Sequence, residues 1–582
     1  MGRGLLFTLD YEMPSIWHGS PWENRKELDL AKRHGGKILI DHLVAHGVDR
    51  VFSVPGESFL AALDGLHDSG ITNIVCRHEG GAAMMAEATG KMTGKPGVAF
   101  VTRGPGASNA AAGVHVAAQD STPMVLFVGQ IARGHRDREA FQEVNYRAFF
   151  GSVAKWVAEV DETARLPEFI NRAFHLATSG RPGPVVLALP EDMLSAVCDC
   201  PDLSPTAQTF SAATAQGADA IMTALDASSR PLIVVGGSGW SQQAADDLKS
   251  FAEARDLPVA VTFRRQDYFD NASRCYVGDL GVGMNPKLAQ RLHETDCLLV
   301  LGSRLGDIAT GGFELIDVAN PNKVICHIHP DPDLPGSVYR ADLAIPARAD
   351  DMVAQLRRTN APEAGRWSNW TEEARSEYEG WQEPLETPGD VKMEAIVGWL
   401  SDNLPKDAIV TNGAGNYAAW LHRYYRFKRY GTQLAPTSGS MGYGFPAAIA
   451  AKLENSEKTV VCMAGDGCFQ MTVNEMSTAK QHGANVIVIV ANNGRYGTIR
   501  MHQERHYPTR VSGTDLANPD FAALARAYGG HGEVVKGTAD FADAFNRAVN
   551  ANLPAVIELR LDTEALSTAN TLSQIRALGQ KN

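Results

Sequence analysis

Two oxygen-bearing side chains stand where a buried sheet would present them. The run Thr459-Val-Val-Cys-Met-Ala464 is apolar and of strand length, and Gly465-Asp466-Gly467 follows it. A helix-length stretch over 473–482 comes next, then an apolar run over 486–491 and Asn492-Asn493-Gly494. Strand, helix, strand in that order predicts one βαβ unit, and ligands in such units bind beyond the carboxyl ends of the strands. A carboxylate from Asp466, a side-chain carbonyl from Asn493 and a nearby main-chain carbonyl would suit Mg²⁺, which takes a few protein oxygens and shares itself with phosphates. A plain turn explains most isolated Gly-Asp-Gly tripeptides, but an Asn pair one crossover later favours the ligand.

Four more stretches carry chemistry in a fixed order. His78-Glu79-Gly80-Gly81-Ala82 opens one helix, and Thr102-Arg103-Gly104-Pro105-Gly106-Ala107-Ser108-Asn109 opens another. Phe141-Gln142-Glu143 and Gly439-Ser440-Met441-Gly442-Tyr443-Gly444-Phe445-Pro446 follow. Singly, each has a bland account. Glu79 would favour a helix N-terminus, Met441 would fill a core, Gly104–Gly106 would start a helix, and Gln142 would be solvated. Together, and with the Asp466–Asn493 unit, they resemble the motifs of thiamine-diphosphate (ThDP) enzymes, over about residues 35–565. The nearest shape is the acetolactate synthase-like branch.

That resemblance implies roles. Glu79 would meet the cofactor's pyrimidine ring and favour its imino tautomer, whose nitrogen takes the proton from the thiazolium carbon; the role needs Glu79 sheltered from water. Gly439 and Met441 would hold the pyrimidine in a bent cofactor. Asp466, Asn493 and the main-chain carbonyl of Arg495 would hold Mg²⁺, with Gly465 and Gly467 beside the diphosphate. Asn416 and Tyr417 stand where acetolactate synthases have Gln-His, and both are expected to bond phosphate oxygens. Gly413-Ala-Gly415 gives that loop the freedom to approach an anion. Pro55 and Gly56 join the cofactor set, Gln142 the catalytic set, and Phe141 and His502 the substrate side. The first domain of one chain would face the third domain of another, so a homodimer is the minimum and a tetramer remains open.

The elements that must position these residues are legible too. The chain has 582 residues, 44% hydrophobic and 21% charged, which predicts several ordinary folded domains. A net charge of −13 argues against a broad nucleic-acid or anionic-membrane surface. No apolar run approaches the ~18–20 residues that span a bilayer. Eight scattered cysteines without a CxxC pair fit a reduced, cytoplasmic protein. Buried strands are read at 51–54, 73–76, 98–102 and 124–128, with helices over 59–69, 79–93 and 107–119. The alternation restarts at Pro231–Val235, with strands at 259–262, 297–301 and 323–328, and again at 408–411. The expected fold is α/β: three consecutive doubly wound parallel-sheet domains. Their limits are read as an N-terminal arm (1–33), a pyrimidine domain (34–205), a central domain (206–357), a linker (358–392), a diphosphate domain (393–566) and a tail (567–582).

The substrate half departs from acetolactate synthase. Ile308 falls where that branch has an acceptor-gripping Arg, and Arg304 stands at the other end of the segment. His502 falls on the acceptor-sizing Trp, and Leu189-Pro190-Glu191-Asp192 replaces a Lys-bearing segment. Arg500 and His502 are candidates to restore polarity. The flavin motif of the branch is not recognisable; Gly278–Met284 is a glycine-rich echo, and Gly236-Gly237-Ser238-Gly239 lacks G-x-G-x-x-G spacing. The expected cofactors are ThDP and Mg²⁺, with FAD not favoured. The expected activity is carboligation of 2-oxo acids. A decarboxylase, a lyase with a non-oxoacid acceptor, and a non-catalytic ThDP-binding partner stand as alternatives.

Overall fold

The computed structural model describes residues 32–359 and 365–581. All but the last two residues of the expected N-terminal arm lie outside them. Three six-stranded sheets follow one another, each wholly parallel, as the alternation predicts. In the first, the spatial order is Thr72–Val75, Arg50–Ser53, Gly97–Val101, Met124–Gln130, Pro184–Pro190 and Trp156–Glu159. In the third it is Gln433–Leu434, Ile409–Asn412, Val460–Gly465, Ile487–Asn492, Ala555–Arg560 and His531–Val535. Both follow the same rule: the chain's first strand lies between its second and third. The chain therefore changes direction across the sheet between strands one and three, and the loops there diverge to leave a crevice.

The central sheet has the order Tyr276–Leu280, Val259–Thr262, Pro231–Val235, Cys297–Leu301, Val324–His329 and Leu343–Pro346. Within 358–392, read above as a linker, the structure has a helix, Ser368–Gln382. It covers the edge strand Tyr276–Leu280, where Tyr378 meets Tyr276 edge-on with ring centres 4.9 Å apart. Trp367 is buried and donates its indole N–H to the Ser228 carbonyl. Trp367 caps the helix, Trp370 and Trp381 carry Arg291 and Arg423 against their rings, and the buried face is Thr371, Ala374, Tyr378 and Gln382; a covered edge cannot template foreign strands.

The first and third domains share one hydrophobic core. Helix Glu79–Thr93 (EGGAAMMAEATGKMT) packs against helix Gly444–Glu454 (GFPAAIAAKLE). Runs of Ala and Gly let the two backbones approach, so the helix headed by Glu79 is buried along most of its length. Inside this wall lies a polar network. Glu87 accepts from Tyr443 Oη at 2.6 Å and Thr122 Oγ1 at 2.7 Å. Lys91 lies 3.2 Å from Glu87 and bonds Asp120. Asp120 also accepts the Thr437 N–H at 2.7 Å, which ties the end of helix Pro105–Asp120 to the loop that leads into Gly439. No helix among the described residues is long and apolar enough to cross a membrane.

Replacing Lys91 by Met leaves two fully buried carboxylates without the cation that touches both, and breaking such a network costs about 3–5 kcal/mol. Burial pushes Asp120 up, but Lys91 and then Arg265 hold it below its ordinary value. A depressed carboxylate contributes stability above its unfolded value and loses it as the pH falls through the folded one. Urea unfolding is therefore expected to show the full Lys91→Met penalty above about pH 4 and a shrinking penalty below it.

Candidate functional site

The crevice of the third domain holds a cavity of about 210 Å³. It lies at the ends of strands Ile409–Asn412, Val460–Gly465 and Ile487–Asn492, between strands one and three and the loop beyond strand four. Asn416, Tyr417, Gly439, Met441, Gly465, Asp466, Gly467, Asn493 and Arg495 all line it, with Trp420. Every third-domain residue picked from the sequence for cofactor or metal is thus brought to one place.

Asp466 begins the short helix Asp466–Gln470. Its Oδ1 accepts the Gly467 N–H, and its Oδ2 accepts the Gly494 N–H at 2.9 Å and the Asn518 amide at 2.7 Å. Burial pushes its pKa above the usual carboxylate range, while those donors pull it back. Asn493 sits in the turn before Gly494 (φ +67°), and its Oδ1 accepts the Arg495 N–H at 3.2 Å. Among the described residues no three His, Cys, Asp or Glu side chains cluster as a metal site. One carboxylate, one amide oxygen and one main-chain carbonyl form a hard but incomplete donor set. It fits Mg²⁺ that draws its remaining ligands from phosphate and water, and fits poorly a cation caged by protein alone. Gly439 (φ +67°) has nothing within 4 Å of its missing Cβ, so the loop there is open to a flat ring. A Cβ on Gly467 would stand 2.6 Å from the Tyr496 ring, so the cradle depends on its absence.

The two expected phosphate ligands also make bonds within the protein. The Tyr417 hydroxyl accepts the Gly413 N–H at 3.0 Å and contacts Cys468 Sγ at 3.5 Å, while its ring forms the floor beneath Gly465. The Asn416 amide N–H donates to the Leu566 carbonyl. Both side chains shape the wall: the Tyr417 hydroxyl is turned to the Gly413 N–H, while Asn416 keeps a second amide N–H beyond its bond to Leu566. Tyr417 is buried beneath the loop, and its hydroxyl there satisfies the buried Gly413 N–H.

The first-domain candidates gather at the corresponding crevice of their own sheet. None of them lines the third-domain cavity. Glu79 is the first residue of its helix, half-buried, and accepts the Asn109 amide at 2.9 Å. Gly106 leaves room for it, since a Cβ there would stand 3.2 Å from Glu79 Oε1. Gln142 (φ +64°) packs on Gly104, whose Cβ would fall 2.8 Å from its own. Gly56 is pressed on Thr102, Pro55 is exposed, and Phe141 is 74% exposed. Glu191 is bonded at 2.9 Å by Arg103, which also reaches Glu57 at 3.3 Å.

On the substrate side, His502 lies exposed on helix Gly497–His506 and stacks on His506. Burial, Arg505 and His506 all hold its pKa down. Arg500 bonds Glu504 at 3.1 Å and is not a free cation. Ile308 lines a different cavity, with Arg304 and Arg265.

Some residues of the site had no sequence signal. Asn518 lies beyond the motifs, yet it bridges Asp466 and the Asn492 side chain, to which it donates at 2.8 Å. Glu558, on the neighbouring strand, orients Asn492 in turn. Arg264 of the central domain (φ +59°) donates to the carbonyls of Gly413 and Pro436 and so joins the two loops that flank the cavity. Spacing along the chain cannot reveal such contacts.

Comparison with known proteins agrees with this geometry. Three family models match in order: the N-terminal TPP binding domain of thiamine pyrophosphate enzymes over 33–149, their central domain over 218–356, and their C-terminal TPP binding domain over 413–559. Acetolactate synthase isozyme 2 large subunit of Escherichia coli K12 is 30% identical over 536 residues, covering 91% of this chain and 96% of its own. Acetolactate synthase large subunit of Parasynechococcus marenigrum is 33% identical, covering 85% and 82%. That of Lactococcus lactis is 31% identical, covering 87% and 88%.

Asn518→Ala removes a donor that aims the Asp466 carboxylate. Because such supporting contacts typically carry a 10–100-fold effect on metal sites, ThDP binding in the presence of Mg²⁺ is expected to weaken by about that factor. Quenching of Trp420 fluorescence in the cavity wall measures it.

Proposed function

The chain belongs to the thiamine pyrophosphate enzymes, and from that premise we propose that it is a ThDP- and Mg²⁺-dependent carboligase of the acetolactate synthase-like kind, with a 2-oxo acid as donor. The observation that carries this is the convergence of Asp466, Asn493, Arg495, Gly439 and Met441 on one cavity, with Glu79 on the matching edge of the first sheet. Asp466, Asn493 and the Arg495 carbonyl would hold Mg²⁺ against the diphosphate. ThDP, when bound, supplies the carbon nucleophile and electron sink for making or breaking a C–C bond beside a carbonyl. Glu79 would hold a proton at the pyrimidine nitrogen, given room by Gly106 and oriented by Asn109. Gly439 and Met441 would support the ring, and Gln142 would bond a substrate oxygen. Because Glu79 lies outside its own chain's cavity, the complete site takes Glu79 from a second copy, and a homodimer is the smallest active unit.

Ile308 and His502 favour a second reading of the acceptor. Neither offers a fixed cation for a carboxylate, so an aldehyde is a fitting partner for the donor. A non-catalytic role is disfavoured by the intact metal pair and by a glutamate with room kept for it. Flavin plays no part in this proposal. The glycines at 236 and 237 are required by packing on Thr262 and the Gly302 carbonyl, and the Gly236 and Gly237 carbonyls accept from Trp240 and Tyr268.

Glu79→Gln is expected to lower kcat by about 10²–10⁴-fold, the usual range for a lost general acid–base group, with ThDP affinity little changed. Steady-state assays with pyruvate and other 2-oxo acids read this, and a wild-type rate would refute the assignment. Asp466→Ala is expected instead to abolish Mg²⁺-dependent ThDP binding. Mass analysis of products from 2-oxo acids offered with and without aldehydes distinguishes acetolactate-type from acetoin-type ligation.

A further inference from the structure

Strand Thr72–Val75 is an edge of the first sheet; the Cys76 N–H turns inward to the Ser53 carbonyl at 2.8 Å, but the N–H groups of Val75, Arg77 and His78 have no strand to serve. The third domain supplies their partners from one short segment, the turn Val473–Glu475 and helix Met476–Gln481. The Val75 N–H donates to His482 Nε2 at 3.1 Å. The Arg77 N–H donates to both carboxylate oxygens of Glu475 at 3.2 Å, and the His78 N–H to its Oε1 at 3.0 Å. The Arg77 guanidinium reaches Gln481 at 2.6 Å.

Glu475 is wholly buried. Its remaining bonds come from Thr478 Oγ1 at 2.6 Å and, at 3.5 Å, the Asn474 amide. All its bonded partners are neutral N–H or O–H groups. Burial pushes its pKa up, and those donors, with the charge of the nearby Arg77 guanidinium last, pull it back. A buried carboxylate with no bonded cation is expensive as a mere domain fastener. What it does hold is particular: the two peptide groups immediately before Glu79. His78 completes the clamp, since its Nδ1 accepts the Gly80 N–H at 3.0 Å. Gly81 is part of it too, because a Cβ there would fall 2.5 Å from Glu475 Oε1. The first turn of helix Glu79–Thr93 is thus fixed on one side by Glu475 and on the other by the Asn109–Glu79 bond.

We propose that Glu475 is a positioning residue for the reaction: through the Arg77 and His78 peptides it sets the direction in which Glu79 leaves the helix and so the fit of that carboxylate to the pyrimidine. The inference rests on the role given to Glu79. It also ties two parts of the active machinery together, because Glu475 lies on the same crossover as Asp466.

The test compares Glu475→Gln, which keeps the shape, with Glu475→Ala and Glu79→Gln in the full-length protein. Three quantities are read: the rate at which the C2 proton of bound ThDP exchanges with deuterium, ThDP affinity by tryptophan fluorescence, and amide hydrogen exchange over 77–80 in the cofactor-free protein. Misplacement of a reacting group by about 1 Å costs as much as ~10²-fold, so Glu475→Gln is expected to slow C2 exchange about tenfold and Glu475→Ala more. Amides 77–80 should exchange faster, with ThDP affinity within about threefold of wild type. A purely structural fastener would instead move affinity and C2 exchange together. A Glu475→Gln protein with C2 exchange within threefold of wild type, or with unchanged amides 77–80, overturns the proposal while leaving Glu79 intact if Glu79→Gln is slow. A Glu79→Gln protein that exchanges at the wild-type rate overturns both.

Discussion

A parallel sheet buried on both faces can present chemistry only where its strands end, and here that constraint is applied twice. The interior strands of the first and third sheets are apolar runs such as MVLFVGQ and IVIVAN, with no room for functional groups on either face. Both sheets place the chain's first strand between its second and third, so each opens a crevice at the same point. One crevice gathers Asp466, Asn493, Gly439 and Met441; the other gathers Gly56, Gly104 and Glu79. The alanine-rich wall between helices Glu79–Thr93 and Gly444–Glu454 locks the two sheets into one body. The Lys91–Asp120–Thr437 connection lies in the same wall and leads into the loop of Gly439.

Much of this was legible in the sequence because strand ends are local. An apolar run followed by Gly-Asp-Gly, and another followed by Asn-Asn, identify the donors, the edge on which they lie and the crossover between them. Helix Glu79–Thr93 has the limits read from the sequence, since His78 is its cap and Gly94 (φ +69°) its terminator. Contacts that join distant segments were not legible. Asn518 and Glu558 act on Asp466 and Asn492 only after folding, Arg264 joins two loops from another domain, and Glu475 meets the segment 75–78 across a domain wall. Tyr417 misled for a related reason. Its position beside the phosphate loop was readable, but the direction of its hydroxyl was decided by the buried Gly413 N–H.

The departures on the substrate side form a coherent chemical picture. Glu191 stands where the resemblance implies a cation, yet Arg103 bonds it, so positive charge is present at that edge from a different strand end. Ile308 and the exposed His502 bring no fixed charge of their own, although Arg304 and Arg265 line the same cavity as Ile308.

The central claim is that Glu79 of one chain serves the Asp466 cavity of another. Complementation between two inactive chains tests it most directly. When Glu79→Gln and Asp466→Ala chains are co-expressed, each mixed dimer assembles one site with both residues intact and one with neither. The account predicts that the mixture regains activity, about a quarter of wild type for random pairing in a symmetric dimer, although each variant alone is inactive. A mixture as inactive as its components, with mixed dimers present by mass, would contradict it.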